Sequence, residues 1–377
     1  MRAWDDSEEI ARGLAEARER ERRETADELA AQGIDLDPRA HRERNGEAGD
    51  EGHGDDTHGD ADPAQEHDHG DGLRHAHDHA HPHAHSGPAD RPQIGIVGAG
   101  PVGTALGIAF SRAGWPVAAV ASRDVARRER FRQLVPGVRA FAEANAVVDD
   151  VELVFLTVPD DVVPRLAQEL RLYSGQAMVH TSGLLGAEVL DPAMAAGTQA
   201  GGFHPLVAFA DVDRALKALP GATIAIEGDD QLAAMLAELA TAIGGTPVRL
   251  APGSKPAYHA AAVLAAGGVT ALLDAIREVA AVVGLDEAGA MAIYLPLLEQ
   301  TVGNARALGI AASLTGPAVR GDAGTVAAHR AALAADAPGA TAIYEALLER
   351  MIEVSERRGA VTPEGAEHLR SVLATRS

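Results

Sequence analysis

One short segment constrains the fold more than any other: an apolar strand that runs directly into three spaced glycines. The residues from Ile94 to Gly103 read Ile-Gly-Ile-Val-Gly-Ala-Gly-Pro-Val-Gly, a G-x-G-x-x-G pattern. Gly98 permits a tight turn, Gly100 lets the backbone approach a pyrophosphate, and Gly103 lets the next helix pack against the strand. The N–H groups of that helix point at the phosphates. A glycine-rich turn in an unrelated sheet is the alternative. The predicted dinucleotide-binding residues are Gly98, Ala99, Gly100, Pro101, Val102 and Gly103.

Strands and helices alternate along the middle of the chain, and only helices are predicted after Pro252. The predicted strands span residues 93–97, 117–121, 153–157, 177–180, 200–203, 222–227 and 246–249. Such alternation is typical of an α/β fold with a doubly wound parallel sheet. The later helices are predicted over 255–283, 286–308, 323–335, 340–358 and 363–375. We therefore predict a Rossmann-like domain over residues 91–251 and an all-α domain over residues 252–377.

The first 90 residues differ in composition from the rest. They carry 25 acidic and 10 basic side chains, and eleven of the 16 histidines lie between His41 and His85. Residues 45–90 contain too few large apolar side chains to offset the entropy of ordering, so we predict a disordered tail. Its imidazoles could bind zinc, nickel or copper weakly, although no spacing defines a closed coordination shell. The weak metal candidates are His75, His77, His79, His81, His83 and His85.

Composition also excludes several classes of function. The net charge of −22 argues against nucleic acid, whose phosphates need a basic surface. The chain has no cysteine, which excludes disulfides, thiolate metal sites and cysteine nucleophiles. The N-terminus lacks a signal-peptide core, and the longest apolar stretch, residues 260–273, is too short and too rich in Ala and Gly to span a bilayer. We expect a soluble cytoplasmic protein without a membrane partner.

The end of the second predicted strand indicates which dinucleotide binds. NAD-preferring folds place an acidic residue there to bind the ribose 2′-hydroxyl. Here the strand is followed by Ser122, Arg123 and Asp124. Arg123 can pair with a 2′-phosphate and Ser122 can donate to it, so we favour NADP over NAD. A solvent-facing arginine at a helix start is the alternative, and Asp124 keeps NAD open.

Polar motifs stand at further predicted strand ends and junctions, where open α/β sheets bind ligands. They read Thr157-Val158-Pro159-Asp160-Asp161, His180-Thr181-Ser182-Gly183, Phe203-His204-Pro205-Leu206 and Lys255-Pro256-Ala257-Tyr258-His259. A fifth motif, Leu-Thr-Gly-Pro-Ala-Val-Arg-Gly-Asp over residues 314–322, lies between predicted helices. We expect Val158, Pro159 and Thr181 to contact the cofactor.

Lys255 is the main candidate for proton transfer. Only Lys217 and Lys255 among the 33 basic residues are lysines, so a retained lysine points to a need for a titratable amine. Reduction of a carbonyl needs a proton donor, and a partly buried ammonium at a helix start has a lowered pKa. His259 lies one turn further along the same face. The alternatives are a surface lysine at a domain junction and packing roles for His259 and His204.

Together the motifs resemble a little-characterised family with a Rossmann-like domain followed by a helical domain of unknown function. Its fold is similar to those of 6-phosphogluconate dehydrogenase, ketopantoate reductase and pyrroline-5-carboxylate reductase, and the resemblance covers about residues 92–350. Lys255-x-x-x-His259 resembles the Lys-x-x-x-Asn of β-hydroxyacid dehydrogenases and ketopantoate reductase, in which the lysine gives or takes the proton. Phe-His-Pro-Leu resembles the His-Pro-Met of prephenate dehydrogenases. His259 replaces the asparagine, and Gly267 stands where another asparagine is expected, so substrate orientation does not transfer.

The resemblance implies an NADP-dependent reductase of a small oxo or imino acid, with Lys255 as general acid. It makes Ser182, His204 and His259 further catalytic candidates. Thr315, Arg320 and Asp322 are the substrate-binding candidates, with a structural Arg320–Asp322 pair as the alternative. Related helical domains often pair, so a homodimer is expected. Two other hypotheses stay open: a non-catalytic NADPH-binding sensor or assembly protein, and a metal-handling protein that uses the tail.

Overall fold

The structure is a computed structural model, and it describes residues 91–375. The predicted tail, with its six candidate metal-binding histidines, lies outside the described residues. Within residues 91–375, no group of His, Asp and Glu side chains is placed to hold a metal ion.

Eight strands of the described region form one sheet in the order β3-β2-β1-β4-β5-β6-β7-β8. They are β1 (Ile94–Val97), β2 (Val117–Ala121), β3 (Arg139–Phe141), β4 (Leu153–Leu156), β5 (Ala177–His180), β6 (Gln199–Pro205), β7 (Thr223–Glu227) and β8 (Thr246–Arg249). All neighbouring strands are parallel except β6 and β7, which are antiparallel. The short strand β3 extends one edge and was not predicted.

Helices cover both faces of this sheet, which explains why the inner strands β1, β2 and β4 are apolar along their whole length. They are α1 (Pro101–Arg112), α2 (Val125–Leu134), α3 (Asn145–Val148), α4 (Val163–Glu169), α5 (Val212–Ala218) and α6 (Asp230–Ala242), with a 3₁₀ helix at Ala187–Ala193. Side chains of α1 and α6 belong to one buried cluster, and those of α3 and α4 belong to a second. Phe110, Phe155 and Phe203 pack with ring centroids 5.1–5.9 Å apart. The α/β fold that the sequence predicts is confirmed.

The antiparallel pairing of β6 with β7 departs from the fully parallel sheet that was expected. The segment containing α5 returns the chain to the edge where β6 ends, and Leu206 N donates there to Thr223 O (2.8 Å). The next strand must therefore run in the opposite direction. Helix α6 then provides a crossover, and β8 lies parallel to β7. The reversal places Glu227 opposite Gly202 of β6.

The chain is helical from residue 255 to residue 374, apart from short connections. The helices are α7 (Lys255–Val282), α8 (Glu287–Leu308), α9 (Ile310–Ser313), α10 (Pro317–Arg320), α11 (Ala323–Asp336), α12 (Thr341–Arg357) and α13 (Pro363–Ala374), with a 3₁₀ turn at Pro338–Ala340. Helix α7 contains a π-helical turn at Leu264–Gly268. Helices α10 to α13 enclose a small apolar core that includes Ala318, Val326, Leu348 and Leu369.

Helices α7 and α8 leave large apolar side chains exposed. Leu264 is 73% exposed, Ile293 54%, Val302 56% and Leu308 63%. Helix α7 has 28 residues and, by length and composition alone, could cross a membrane. The helix extends beyond the apolar stretch of residues 260–273, and the expectation that this stretch does not span a bilayer stays a prediction. Its first residue, Lys255, is buried against the sheet domain.

Candidate active site

The glycine turn after β1 has the geometry of close backbone packing. Gly98 has a φ of +114°, and a Cβ there would lie 2.5 Å from Thr157 O. A Cβ on Gly103 would collide with Gly98 O, so α1 approaches the turn this closely only because position 103 is glycine. Gly100, in contrast, has nothing within 4 Å of its Cβ position. The space before Gly100 and the first N–H groups of α1 can therefore accept an anionic group.

Thr157, directly after β4, secures this turn. Its side chain is buried, and its Oγ1 lies 2.7 Å from Gly98 O and 3.2 Å from Val97 O. Because the hydroxyl donates to the turn itself, it holds the end of β1 against β4. Thr157 had no assigned role from sequence, although a hydroxyl at the end of an apolar strand was the available signal.

One elongated cavity of about 770 Å³ lies along the carboxyl edge of the parallel strands. It extends from the end of β2, past the glycine turn, to the loop after β5 and the start of α7. Its lining includes ten of the predicted cofactor-binding residues: Gly98, Ala99, Gly100, Pro101, Val102, Ser122, Arg123, Val158, Pro159 and Thr181. Gly103 lies behind the lining, where it packs α1 against the turn.

At the β2 end of the cavity, Asp124 is occupied by local contacts. It is the N-cap of α2, and its Oδ1 accepts from Arg127 N (3.1 Å). The Arg127 Nε lies 3.4 Å from Asp124 Oδ2. Arg123 is exposed, and in the described part of the chain it makes no hydrogen bond or ion pair. A cationic group therefore faces this end of the cavity without a partner, whereas the neighbouring carboxylate is engaged.

Two histidines stand side by side at the opposite end. The ring centroids of His204 and His259 are 5.6 Å apart, and both rings line the cavity. A Cβ on Gly183 would collide with His259 Nδ1 and crowd His204 Nε2, so glycine is required there. Burial lowers the pKa of His204 to about 4, with further lowering by His259 and Lys255 and a smaller opposing effect of Asp160. His204 is therefore neutral at pH 7.

Ser182 shapes the loop after β5 more than it faces a ligand. Its Oγ donates to Asp160 Oδ2 (2.8 Å) and accepts from Leu184 N (3.1 Å) and Leu185 N (2.9 Å). Ser182 lines the cavity, but its hydroxyl hydrogen already has an acceptor. The direct catalytic role expected for this hydroxyl is therefore not supported by its contacts.

Lys255 lies behind the cavity wall and does not line it. Its side chain is 1% exposed; its Nζ donates to Ser182 O (2.9 Å) and Leu185 O (2.7 Å) and lies 2.9 Å from Glu227 Oε2. Burial lowers its pKa, and Glu227 opposes that effect. Two carbonyl groups and the Glu227 carboxylate thus engage this ammonium inside the wall, and a direct proton-donor role for Lys255 stays a prediction.

Glu227 is a functional candidate that sequence reasoning missed. Its side chain is 9% exposed at the end of β7, and a Cβ on Gly202 would lie 2.9 Å from both Glu227 Oε2 and Lys255 Nζ. Glycine in β6 thus makes room for the ion pair. The available signal was an acidic residue at the end of an otherwise apolar strand. Burial of a carboxylate costs free energy unless the charge is paired, so such a residue indicates a buried partner.

The three predicted substrate-binding residues do not reach the cavity of their own chain. Asp322 is the N-cap of α11 and accepts from Thr325 N (3.0 Å) and Thr325 Oγ1 (2.7 Å). Arg320 Nη2 lies 3.9 Å from Asp322 Oδ2. The structural Arg320–Asp322 pair is therefore the arrangement observed. Thr315 is exposed in the connection before α10.

Two family descriptions match the chain. Residues 81–205 match a Rossmann-like domain, and residues 222–351 match a domain of unknown function, DUF2520. The expected order, a Rossmann-like domain followed by a helical domain of unknown function, is confirmed. The DUF2520 match begins at the start of β7 rather than after the sheet. No curated protein matches the chain in sequence.

Several solved structures share the fold. A candidate NADP oxidoreductase from Bacteroides fragilis is 23% identical, with a TM-score of 0.60 over 70% of this chain and 98% of that one. A reductive aminase from Aspergillus terreus, in complex with NADPH and ethyl-5-oxohexanoate, is 17% identical, with a TM-score of 0.56 over 75% and 99%. A 1-pyrroline-5-carboxylate reductase from Streptococcus pyogenes is 15% identical, with a TM-score of 0.51 over 71% and 99%. At these identities, the likenesses establish the fold.

We predict that His180 and His204 stay unprotonated until the pH approaches 4, because burial is the largest effect lowering the pKa of each to about 4. The unfolded chain, with histidine pKa values near 6.5, then binds more protons between these pH values. Stability is expected to fall as the pH is lowered through that window, by about 3 kcal/mol per histidine. NMR titration of the histidine Cε1–H signals, assigned with His180→Gln and His204→Gln, measures the pKa values. A His204 signal that titrates near pH 6.5 would contradict the prediction.

Proposed function

We propose that the chain is an NADP(H)-dependent oxidoreductase that reduces a C=O or C=N bond of a small molecule. The observation that carries this proposal is the course of the cavity. It joins an arginine at the end of β2, an open glycine turn at the start of α1, and paired histidines at the domain junction. A dinucleotide bound at the carboxyl edge of a doubly wound sheet would follow the same course, with acid–base groups at one end.

The donor set fits NADP better than NAD. Arg123 offers a guanidinium that has no partner among residues 91–375, and Ser122 offers a hydroxyl, where the ribose 2′-phosphate would lie. Asp124, the residue that would favour NAD, is engaged as a helix cap and with Arg127. The fold relatives described as an NADP oxidoreductase and as an NADPH complex support the same choice. Gly100 and the α1 N-terminus would hold the pyrophosphate.

The bound dinucleotide would supply the hydride, and the chain must supply the proton. We assign the proton donor to His259, which lines the cavity, while His204 beside it is neutral and orients the substrate. Lys255 acts through the wall: its contacts with Ser182 O and Leu185 O hold the loop on which Gly183 approaches both imidazoles. This replaces the expectation that Lys255 is itself the general acid.

A non-catalytic NADPH-binding sensor is the second candidate function. The observation in its favour is that the Ser182 hydroxyl and the Lys255 ammonium both already donate hydrogen bonds to protein groups. Tight NADPH binding without oxidation in any substrate screen would support it.

We further propose that the chain forms a homodimer through α7 and α8, whose apolar side chains lack partners within the described chain. Either a second copy of the chain or a membrane could cover this apolar surface. We favour a second copy, because Lys255, the first residue of α7, is buried in the sheet domain. In such a dimer, Thr315 and Arg320 are candidates to reach the partner's cavity and bind the substrate there. Location in the cytoplasm stays a prediction.

Arg123→Ala is expected to weaken NADPH binding by about 10- to 100-fold, because a hydrogen bond to a charged group contributes about 1.5–3 kcal/mol. NADH binding should stay unchanged. Fluorescence titration with both nucleotides measures this. Arg130→Ala, an exposed arginine on α2 outside the cavity lining, is the matched control. Equal losses for NADH and NADPH would exclude a 2′-phosphate role for Arg123.

The function itself is tested by NADPH consumption with ketones, oxo acids and cyclic imines. His259→Gln is expected to lower kcat by about 100-fold or more, the usual contribution of a general acid, with little change in NADPH affinity. Normal turnover in this variant would remove His259 from the proton-donor role. Normal turnover in His259→Gln, together with no turnover in a folded Lys255→Ala variant of full NADPH affinity, would return that role to Lys255.

Light scattering after size-exclusion chromatography tests the dimer. The wild-type chain is expected at twice the monomer mass without detergent, and Leu264→Glu with Val302→Glu at the monomer mass, because two charges would be buried without partners. Val125→Glu, on an exposed position of α2, is the control. Recovery of the wild type only with detergent or lipid vesicles would favour a membrane contact instead.

A further inference from the structure

One carboxylate, that of Asp160, places a negative charge at the histidine end of the cavity. Asp160 lines the cavity after β4. Its Oδ2 accepts from Ser182 Oγ (2.8 Å), while its Oδ1 has no partner among the described residues. This carboxylate therefore shares the cavity with the two imidazoles. Both Asp160 and its neighbour Asp161 are exposed, but Asp161 does not line the cavity.

Among residues 91–375, no lysine or arginine forms an ion pair with Asp160. Arg123 and Arg127 line the cavity at the far end, beside β2, and Arg165 on α4 pairs with Glu169 (3.4 Å). Lys255 is buried behind the wall with its charge matched by Glu227 (2.9 Å). His204 is held neutral by burial, which lowers its pKa to about 4. Once His259 has given up its proton, a substrate in front of these histidines meets the negative charge of the Asp160 carboxylate.

We propose that Asp160 selects a positively charged substrate, an iminium ion, over neutral ketones and anionic oxo acids. The proposal rests on the oxidoreductase function and names its substrate class. A carboxylate attracts an iminium nitrogen and keeps it protonated, whereas it repels both a substrate carboxylate and the negative charge that develops on a ketone oxygen. It narrows the expected oxo or imino acids to imines without a nearby carboxylate.

The chemistry balances with the groups already assigned. Hydride from the dinucleotide adds to the iminium carbon, the C=N π electrons become the nitrogen lone pair, and the dinucleotide leaves oxidised. A substrate that arrives as a neutral imine first takes one proton, which His259 supplies. Asp160 contacts the charged nitrogen and does not itself transfer a proton.

The test compares three probes of similar size: 2-methyl-1-pyrroline, cyclopentanone and 2-oxobutanoate. We expect the imine to have the highest kcat/KM, by about tenfold or more. Asp160→Asn, which keeps an oxygen for Ser182, should lower kcat/KM for the imine by about 10- to 100-fold, leaving the oxo acid unchanged or improved. Asp161→Asn should change none of the three. Preference for the oxo acid, or an equal loss for all probes in Asp160→Asn, overturns the proposal.

A binding measurement keeps the proposal testable without turnover. Pyrrolidinium, a stable cation, and cyclopentanecarboxylate are titrated calorimetrically into the full chain saturated with NADPH, whose nicotinamide ring is uncharged. Tighter binding of the cation, lost in Asp160→Asn and kept in Asp161→Asn, supports the proposal; equal binding of both ions, or binding of neither, overturns it. Failure of NADP⁺ or NADPH to bind at all would instead refute the oxidoreductase function.

Discussion

A buried ion pair between Lys255 and Glu227 ties the first long helix of the helical region to the sheet. Breaking such a pair by removing one partner leaves an uncompensated charge, which costs about 3–5 kcal/mol. Here the same ammonium also donates to the carbonyls of Ser182 and Leu185. The loop after β5, the end of β7 and the start of α7 are thereby fixed relative to one another, and the positions of Gly183 and His259 follow from that arrangement.

Much of the sheet domain could be predicted because its signals are local. The strands β1 and β2 are short apolar runs bounded by turns, and the helix after Gly98 begins where the glycine spacing requires. The strand β3 could not be found, because Arg139–Phe141 is a three-residue edge strand without an apolar pattern. The direction of β7 depends on where the segment around α5 returns the chain, which is a property of packing. Alternation of strand and helix predicts a parallel crossover between β6 and β7 just as it does between β7 and β8.

The site was predictable where backbone geometry dictates the residue type, and much less so where burial decides the role. Gly98 and Gly103 are required by collisions with neighbouring backbone atoms, so their spacing alone located the turn. The sequence motif placed Lys255 at the domain junction. Its position behind the cavity wall depends on Glu227 and on two carbonyl groups, all more than 25 residues away along the chain. Asp160 lay within a quoted motif, and only the surrounding charges distinguish it from Asp161.

The reversal of the sheet at β7 coincides with the boundary between the two family matches. The DUF2520 match starts at residue 222 and so includes β7, α6 and β8 with the helices that follow. Glu227 and Lys255 therefore belong to one segment, while their carbonyl partners at 182 and 185 belong to the Rossmann-like match. Exchange of the second segment between related genes would carry both charges together. The recipient would need to provide only backbone carbonyls and a glycine opposite Glu227, so recombination at this point could leave the buried charge balanced.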